Sequence, residues 1–183
     1  MKNHIPAHEF IHEERTRWAD ILLEHWYHNV LFSSNWWLLL CCTLIPYLIW
    51  WKLADKGRLF EILSYGMLTA IISCFFDTIG VDLGLWDYPS NLFPLVPFFV
   101  PADFTAIPVT SMLLFQYFTS WKTFFAASVG LAVVFAYIFE PLFIKLQIFE
   151  MYDWKHIYGF IGFTFMFNIN WFIMYFLKKR KFD

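Results

Sequence analysis

The sequence predicts an all-α protein, a five-span transmembrane helical bundle with an N-terminal amphipathic interfacial helix. Three observations predict it. Five stretches, about 34–51, 61–80, 98–118, 123–144 and 157–177, approach the roughly 20 apolar residues that a bilayer-spanning helix needs. The 183 residues are 60% hydrophobic and only 15% charged, against about 25% charged in an ordinary soluble domain. Paired tryptophans, Trp36–Trp37 and Trp50–Trp51, bracket the first stretch. At ~1.5 Å of rise per residue the pairs stand about 21 Å apart, which suits two aromatic belts.

Residues 1–33 form the first unit and 34–183 the bundle. In the first unit Ile11, Trp18, Ile21, Leu22 and Trp26 share one broad helical face, with Glu13, Arg17, Asp20 and Glu24 mostly elsewhere. About a third of positions 9–29 are charged, too costly for a span, so this helix is expected to lie on the membrane. The N-terminus has no apolar leader and no small-residue cleavage site. No signal peptide is expected, and the first span inserts by itself.

The third stretch carries prolines at 89, 94, 97, 101 and 108. Proline inside a helix removes a hydrogen bond and clashes with the preceding turn. An irregular or re-entrant approach ending at Pro101, followed by a helix, is therefore expected. Irregular backbone at membrane depth must face protein or water, which puts this region inside the bundle.

Basic residues orient the chain. Lys52, Lys56 and Arg58 follow the first span, Lys122 the third, and Lys178, Lys179, Arg180 and Lys181 the fifth. Between 81 and 97 there is none. The positive-inside rule places the C-terminus in the cytoplasm and the N-terminus outside, in a multi-pass protein of the cell (cytoplasmic) membrane.

Several function classes drop out. A net charge of −2 with dispersed basic residues leaves no nucleic-acid footprint. Cys41, Cys42 and Cys74 fall in apolar runs without framework spacing and read as small hydrophobes. His4, His8 and His12 recur every four residues, and His25 and His28 lie three apart. Pro6 interrupts the first series, so a solvated polar face is the reading and no metal is expected. There is no phosphate loop, nucleophile elbow, His-Glu-x-x-His box or Cys-x-x-Cys motif, and no cofactor is expected.

What remains is polar chemistry inside the spans. Glu61, Tyr65, Thr69, Ser73 and Asp77 recur at intervals of four on the second span, and Thr164, Asn168, Trp171 and Tyr175 form a similar stripe on the fifth. Residues so spaced lie on one slowly drifting stripe. The hydroxyls and amides read as helix–helix hydrogen bonding. The acids are costlier, and an intramembrane carboxylate is a functional hypothesis by default. Asp77, Asp103 and Glu140 all fall near the outer ends of their spans, with no Lys or Arg in those spans to pair with them. They are the candidate catalytic acids, expected to share a pocket in which at least one binds a proton or a cation. Asp103 alternatively sits in the favourable first turn of a helix after Pro101. Glu140, before Pro141, alternatively ends a helix in solvent, and Asp77 alternatively reaches water past Gly80. Ser73, Asn168, Trp171, Trp86 and Asp87 are the expected pocket lining. The loop "GVDLGLWDYPSN" is either a roof over the acids or an ordinary surface turn.

The runs "NWWLLL", "PYLIWWKLADKGRLFEIL", "DTIGVDLGLWDYP" and "IFEPLF" resemble an uncharacterised family of small multi-span integral membrane proteins of Bacillus-type Firmicutes, from about residue 25 onward. That resemblance implies a cytoplasmic-membrane location and carries no activity, substrate or catalytic residue. A fainter likeness is to the membrane-embedded lycopene and terpene cyclases. It implies intramembrane acids that protonate a prenyl chain within aromatic walls. The paired-glutamate Pro-x-Glu-Glu pattern of the lycopene cyclases is missing here.

Three functions follow as expectations. The first is an accessory or structural membrane protein with an outward-facing polar pocket. The second is an acid-catalysing enzyme on an isoprenoid or lipid. The third is a small proton- or cation-coupled transporter, for which no inverted repeat speaks. The expected partners are the lipid bilayer, a lipid or isoprenoid ligand, and a membrane-protein partner or a second copy of the chain.

Overall fold

The structure, a computed structural model, describes residues 7–179. His4 of the histidine series and Arg180 and Lys181 of the basic tail lie outside the described residues. The elements run as α1 (His8–His25), a π-helical turn (Trp26–Val30), α2 (Ser34–Leu53), α3 (Leu59–Asp82), β1 (Trp86–Asp87), a π-helical turn (Pro101–Ala106) and α4 (Ile107–Tyr117). They continue with α5 (Trp121–Val134), a π-helical turn (Phe135–Phe139), α6 (Glu140–Lys145), β2 (Glu150–Met151) and α7 (His156–Lys179). Four helical runs, Ser34–Leu53, Lys56–Asp82, Trp121–Lys145 and His156–Lys179, are long and apolar enough to cross a membrane.

α3 turns a polar stripe inward, into a bundle whose core is otherwise largely apolar. Its buried face includes Tyr65, Gly66, Thr69, Ser73, Asp77 and Gly80, which carries the polar stripe. Phe60, Met67, Ile71 and Phe75 are exposed on the other side. Such an apolar outer face suits lipid rather than water. α3 packs on α4 and α7, and α5 packs on α7. Tyr65, fully buried, stacks on Phe115 of α4 at 4.4 Å and donates to the Phe167 carbonyl of α7 at 3.0 Å. Further along, Asn170 Nδ2 donates to Thr69 Oγ1 at 3.1 Å, and Asn168 Nδ2 to Ser128 Oγ at 2.9 Å. Each bond joins two helices.

Ahead of the third predicted span the chain is irregular, where Pro89, Pro94 and Pro97 lie. Residues 88–99 are irregular, and helix resumes in the six-residue π-helical turn that runs into the 11 residues of α4. Pro108 has no N–H for the Phe104 carbonyl one turn earlier. The Tyr47 hydroxyl of α2 donates to that carbonyl instead. Tyr47→Phe is expected to orphan the carbonyl and cost about 1–3 kcal/mol, read as a lowered thermal unfolding midpoint in detergent. An unchanged midpoint would show that the carbonyl finds another partner.

The two ends of the bundle differ in chemistry. At one, Arg58 and Lys178 both bind Glu61, and Arg58 Nη1 reaches the Gln116 carbonyl at 3.3 Å. At the other, β1 and β2 pair antiparallel, Trp86 opposite Met151, and cap the helix ends. α1 buries no residue. The chain after it is tied to this second end by Trp26 Nε1, which donates to the Asn91 carbonyl at 3.0 Å.

Candidate functional site

The site begins with a helix stop. Gly84, at φ +67°, lets α3 end in a Schellman turn, with Gly84 N–H donating to the Val81 carbonyl and Leu85 N–H to the Gly80 carbonyl, both at 2.9 Å. The chain doubles back, and Trp86 lies against α3 at Gly80. A β-carbon at Gly80 would overlap the indole. Trp154, after β2, packs edge-on against Trp86 at 4.7 Å.

This fold-back delivers donors to Asp77. Its Oδ1 accepts from Trp86 Nε1 and from the Tyr88 hydroxyl, each at 2.7 Å, and its Oδ2 accepts from the Phe99 N–H at 2.7 Å. All three donors belong to the connection between α3 and α4. Burial, with Asp77 beside it, holds the Tyr88 phenol well above its ordinary range, so it remains a donor. Its ring stacks on Phe99 at 4.6 Å.

Asp103 stands against Asp77. Its Oδ2 accepts from the same Phe99 N–H at 2.9 Å, and its Oδ1 accepts from Ser73 of α3. Two oxygens held 2.7 and 2.9 Å from one nitrogen lie at most about 5.6 Å apart, the sum of the two bonds. Asp103 N–H donates back to the Phe99 carbonyl at 2.9 Å. The exchange resembles a capping box, in which a first-turn acid satisfies the backbone N–H at the helix entry. Asp77 and Asp103 are 6% and 4% exposed. Asp77 does not reach water past Gly80; the connection covers it.

Glu140 is held differently. It follows the π-helical turn Phe135–Phe139, and its Oε2 lies 2.6 Å from His156 Nδ1 at the start of α7. Its Oε1 faces Gly159 closely enough that a β-carbon there would stand 2.5 Å away. The Glu140 side chain is 14% exposed, so it does not end a helix in solvent. Asp103 lies within a π-helical turn two residues after Pro101, and Glu140 just after one and directly before Pro141, prolines that cannot supply a regular helical bond.

Beneath the aromatic cover is a cavity of about 720 Å³. Asp77, Asp103 and Glu140 all line it, with Ser73 and Trp86. Most of the remaining wall is apolar, including Phe99, Phe135, Phe143, Phe149 and Met166. Phe76, Ile161 and Phe165 also line it and are 56%, 57% and 63% exposed, so the cavity opens through the apolar flank of the bundle.

Three other predicted lining residues lie elsewhere. Asn168 is engaged with Ser128 and with the Thr164 carbonyl. Trp171 packs with Trp121 and Tyr175, 15 residues and so about 22 Å along α7 from His156. The exposed Asp87 accepts from the Tyr88 N–H at 2.7 Å and shapes its own turn. Sequence reasoning missed Tyr88, His156, Trp154 and Cys42, of which all but His156 line the cavity. The "WDYP" turn was a usable signal for Tyr88. Nothing in sequence joins Glu140 to His156, because the irregular stretch between them obeys no period.

Among the described residues, no three His, Cys, Asp or Glu side chains cluster to hold a metal ion. His8 and His12 lie exposed on α1. No protein-family model matches the chain, and no curated protein and no solved structure is similar to it.

Proposed function

We propose that this chain is an accessory protein of the cytoplasmic membrane that holds a lipid-like ligand in an intramembrane cavity near the outer surface. The observation that carries this reading is the cavity: about 720 Å³, largely apolar, with three acids on its wall and exposed Phe76, Ile161 and Phe165 at its mouth. Ligand sites are apolar concavities of roughly 300–1,000 Å³ with a few convergent polar groups. A mouth rimmed with apolar side chains admits a molecule from the bilayer rather than from water.

Cys42 lines the cavity and reports on its opening. With Cys41 and Cys74 replaced by alanine, Cys42 is expected to react with a lipid-soluble maleimide and to resist a charged, membrane-impermeant one. Equal reaction with the charged reagent in intact cells would show a cavity open to water and remove the lipid reading.

The reading takes the chain across the bilayer five times, with α4 and its π-helical turn as the third crossing, α1 in the outer interface and the C-terminus in the cytoplasm. In a cysteine-free background, single cysteines at Asp82 and Thr119 are expected to label from opposite sides of intact cells. Labelling of both from one side would mean that the segment between them does not cross.

A second reading, acid catalysis on an isoprenoid or other lipid, draws on the Asp77–Asp103 pair, which has no cation partner and lies among aromatic rings. Enzymes use paired carboxylates that share one proton as acids. Here, however, both carboxylates are occupied by donors from the connection and from Ser73, which favours holding the roof over donating a proton.

A further inference from the structure

We infer that the cavity selects lipids whose head donates hydrogen bonds and carries no negative charge, such as a long-chain alcohol or amine, and rejects phosphate-bearing lipids. The inference rests on the lipid-cavity reading above and adds the chemistry of the head. Every charged side chain on the cavity wall is an acid: Asp77, Asp103 and Glu140. No Lys or Arg among the described residues lines it. Phosphate recognition requires basic side chains or helix N–H groups free to donate. At the helix entry by Pro101 the Phe99 N–H is already claimed by both aspartates, and at the start of α7, beside Trp154 and Gly159 of the wall, the Tyr158 and Gly159 N–H groups donate to the Lys155 carbonyl. Arg58, Lys56 and Lys178 are engaged at the opposite end of the bundle.

Acceptor capacity, by contrast, is left over. A carboxylate offers about four lone-pair sites, and Asp103 receives two donors, Ser73 Oγ and the Phe99 N–H. Glu140 receives one, from His156, while its Oε1 is turned to the cavity side of α7 at Gly159. A hydroxyl or an ammonium head completes these acceptors. A phosphate would bring more acceptors and like charge into a medium of low dielectric, where repulsion is strongest. Gly159 and Gly162 keep the α7 wall low beside Glu140, and both line the cavity.

The test uses the full chain in detergent micelles with Cys42 as the only cysteine, and measures how hexadecanol, hexadecylamine and hexadecyl phosphate slow its alkylation. A matched protein retaining only Cys41, which is exposed and does not line the cavity, corrects for effects of the micelle. The alcohol or the amine is expected to protect Cys42 saturably at concentrations at least about tenfold below those of the phosphate. Glu140→Gln, which keeps the side-chain shape, is expected to narrow that gap by strengthening phosphate protection. Protection by the phosphate equal to or better than both others overturns the head-group inference and leaves the lipid cavity standing. Protection by none of the three overturns the lipid-cavity reading itself.

Discussion

Asp77→Leu is expected to lower the thermal unfolding midpoint in detergent by on the order of 10 °C and to expose the 83–100 connection to protease. Leucine has no acceptor for Trp86 Nε1, the Tyr88 hydroxyl or the Phe99 N–H, all of which Asp77 now satisfies. Each buried donor left without a partner costs about 1–3 kcal/mol. In a chain of this length a loss of 1 kcal/mol moves the midpoint by roughly 2–4 °C. Asp103 can still accept from the Phe99 N–H, which keeps the expected loss below the sum of three. Asp77→Asn is expected to fall between wild type and Leu. Its amide nitrogen must face either the two ring donors or the backbone donor, and it can accept from neither. A Leu variant with an unchanged midpoint and a protected connection would show that Asp77 does not hold the roof.

Gly80→Val is the second large effect, because it strikes the same roof without touching a carboxylate. The β-carbon alone would overlap the Trp86 indole, which Trp154 holds from another side. The ring cannot yield as the end of a flexible chain would. Overpacking costs about 1–3 kcal/mol, and displacing the indole also breaks its bond to Asp77. The expected total is about 2–4 kcal/mol. Cys42 should then alkylate faster, since Trp86 is part of the wall that encloses it. A stable Gly80→Val protein with unchanged Cys42 reactivity would remove Trp86 as the lid of the cavity. Comparing the two variants separates loss of the acid from loss of the cover.

The membrane character and the four long apolar helices were determined by the sequence alone, because a bilayer-spanning helix is a local object. Its length, its apolar content and its flanking aromatics are all written within about 20 consecutive residues. The inward face of α3 was equally legible. Intervals of four drift by only about 40° per step, so neighbours in the series from Glu61 to Asp77 follow one stripe, and Tyr65, Thr69, Ser73 and Asp77 of it are buried. The irregular approach to the third span followed from the prolines before it, whose missing N–H is a property of the residue itself.

What the acids touch was decided only by the tertiary structure. Asp77 is satisfied by three donors from a connection that has no period, and which reaches it because Gly84 ends α3 in a left-handed turn and Gly80 leaves space for an indole. Asp103 meets Asp77 through one shared N–H, an arrangement set by how Phe99 enters the π-helical turn. Glu140 meets His156 across the irregular stretch before α7. The displaced expectations have the same origin. Asn168 lies at nearly the depth of Phe165 and Met166, which line the cavity, but turns to Ser128 of α5, while Trp171 lies about 22 Å along α7 from His156. Periodicity states which way a side chain points. Which other segment arrives at that point depends on loop closure and packing between distant parts of the chain, and neither leaves a repeating mark in the sequence.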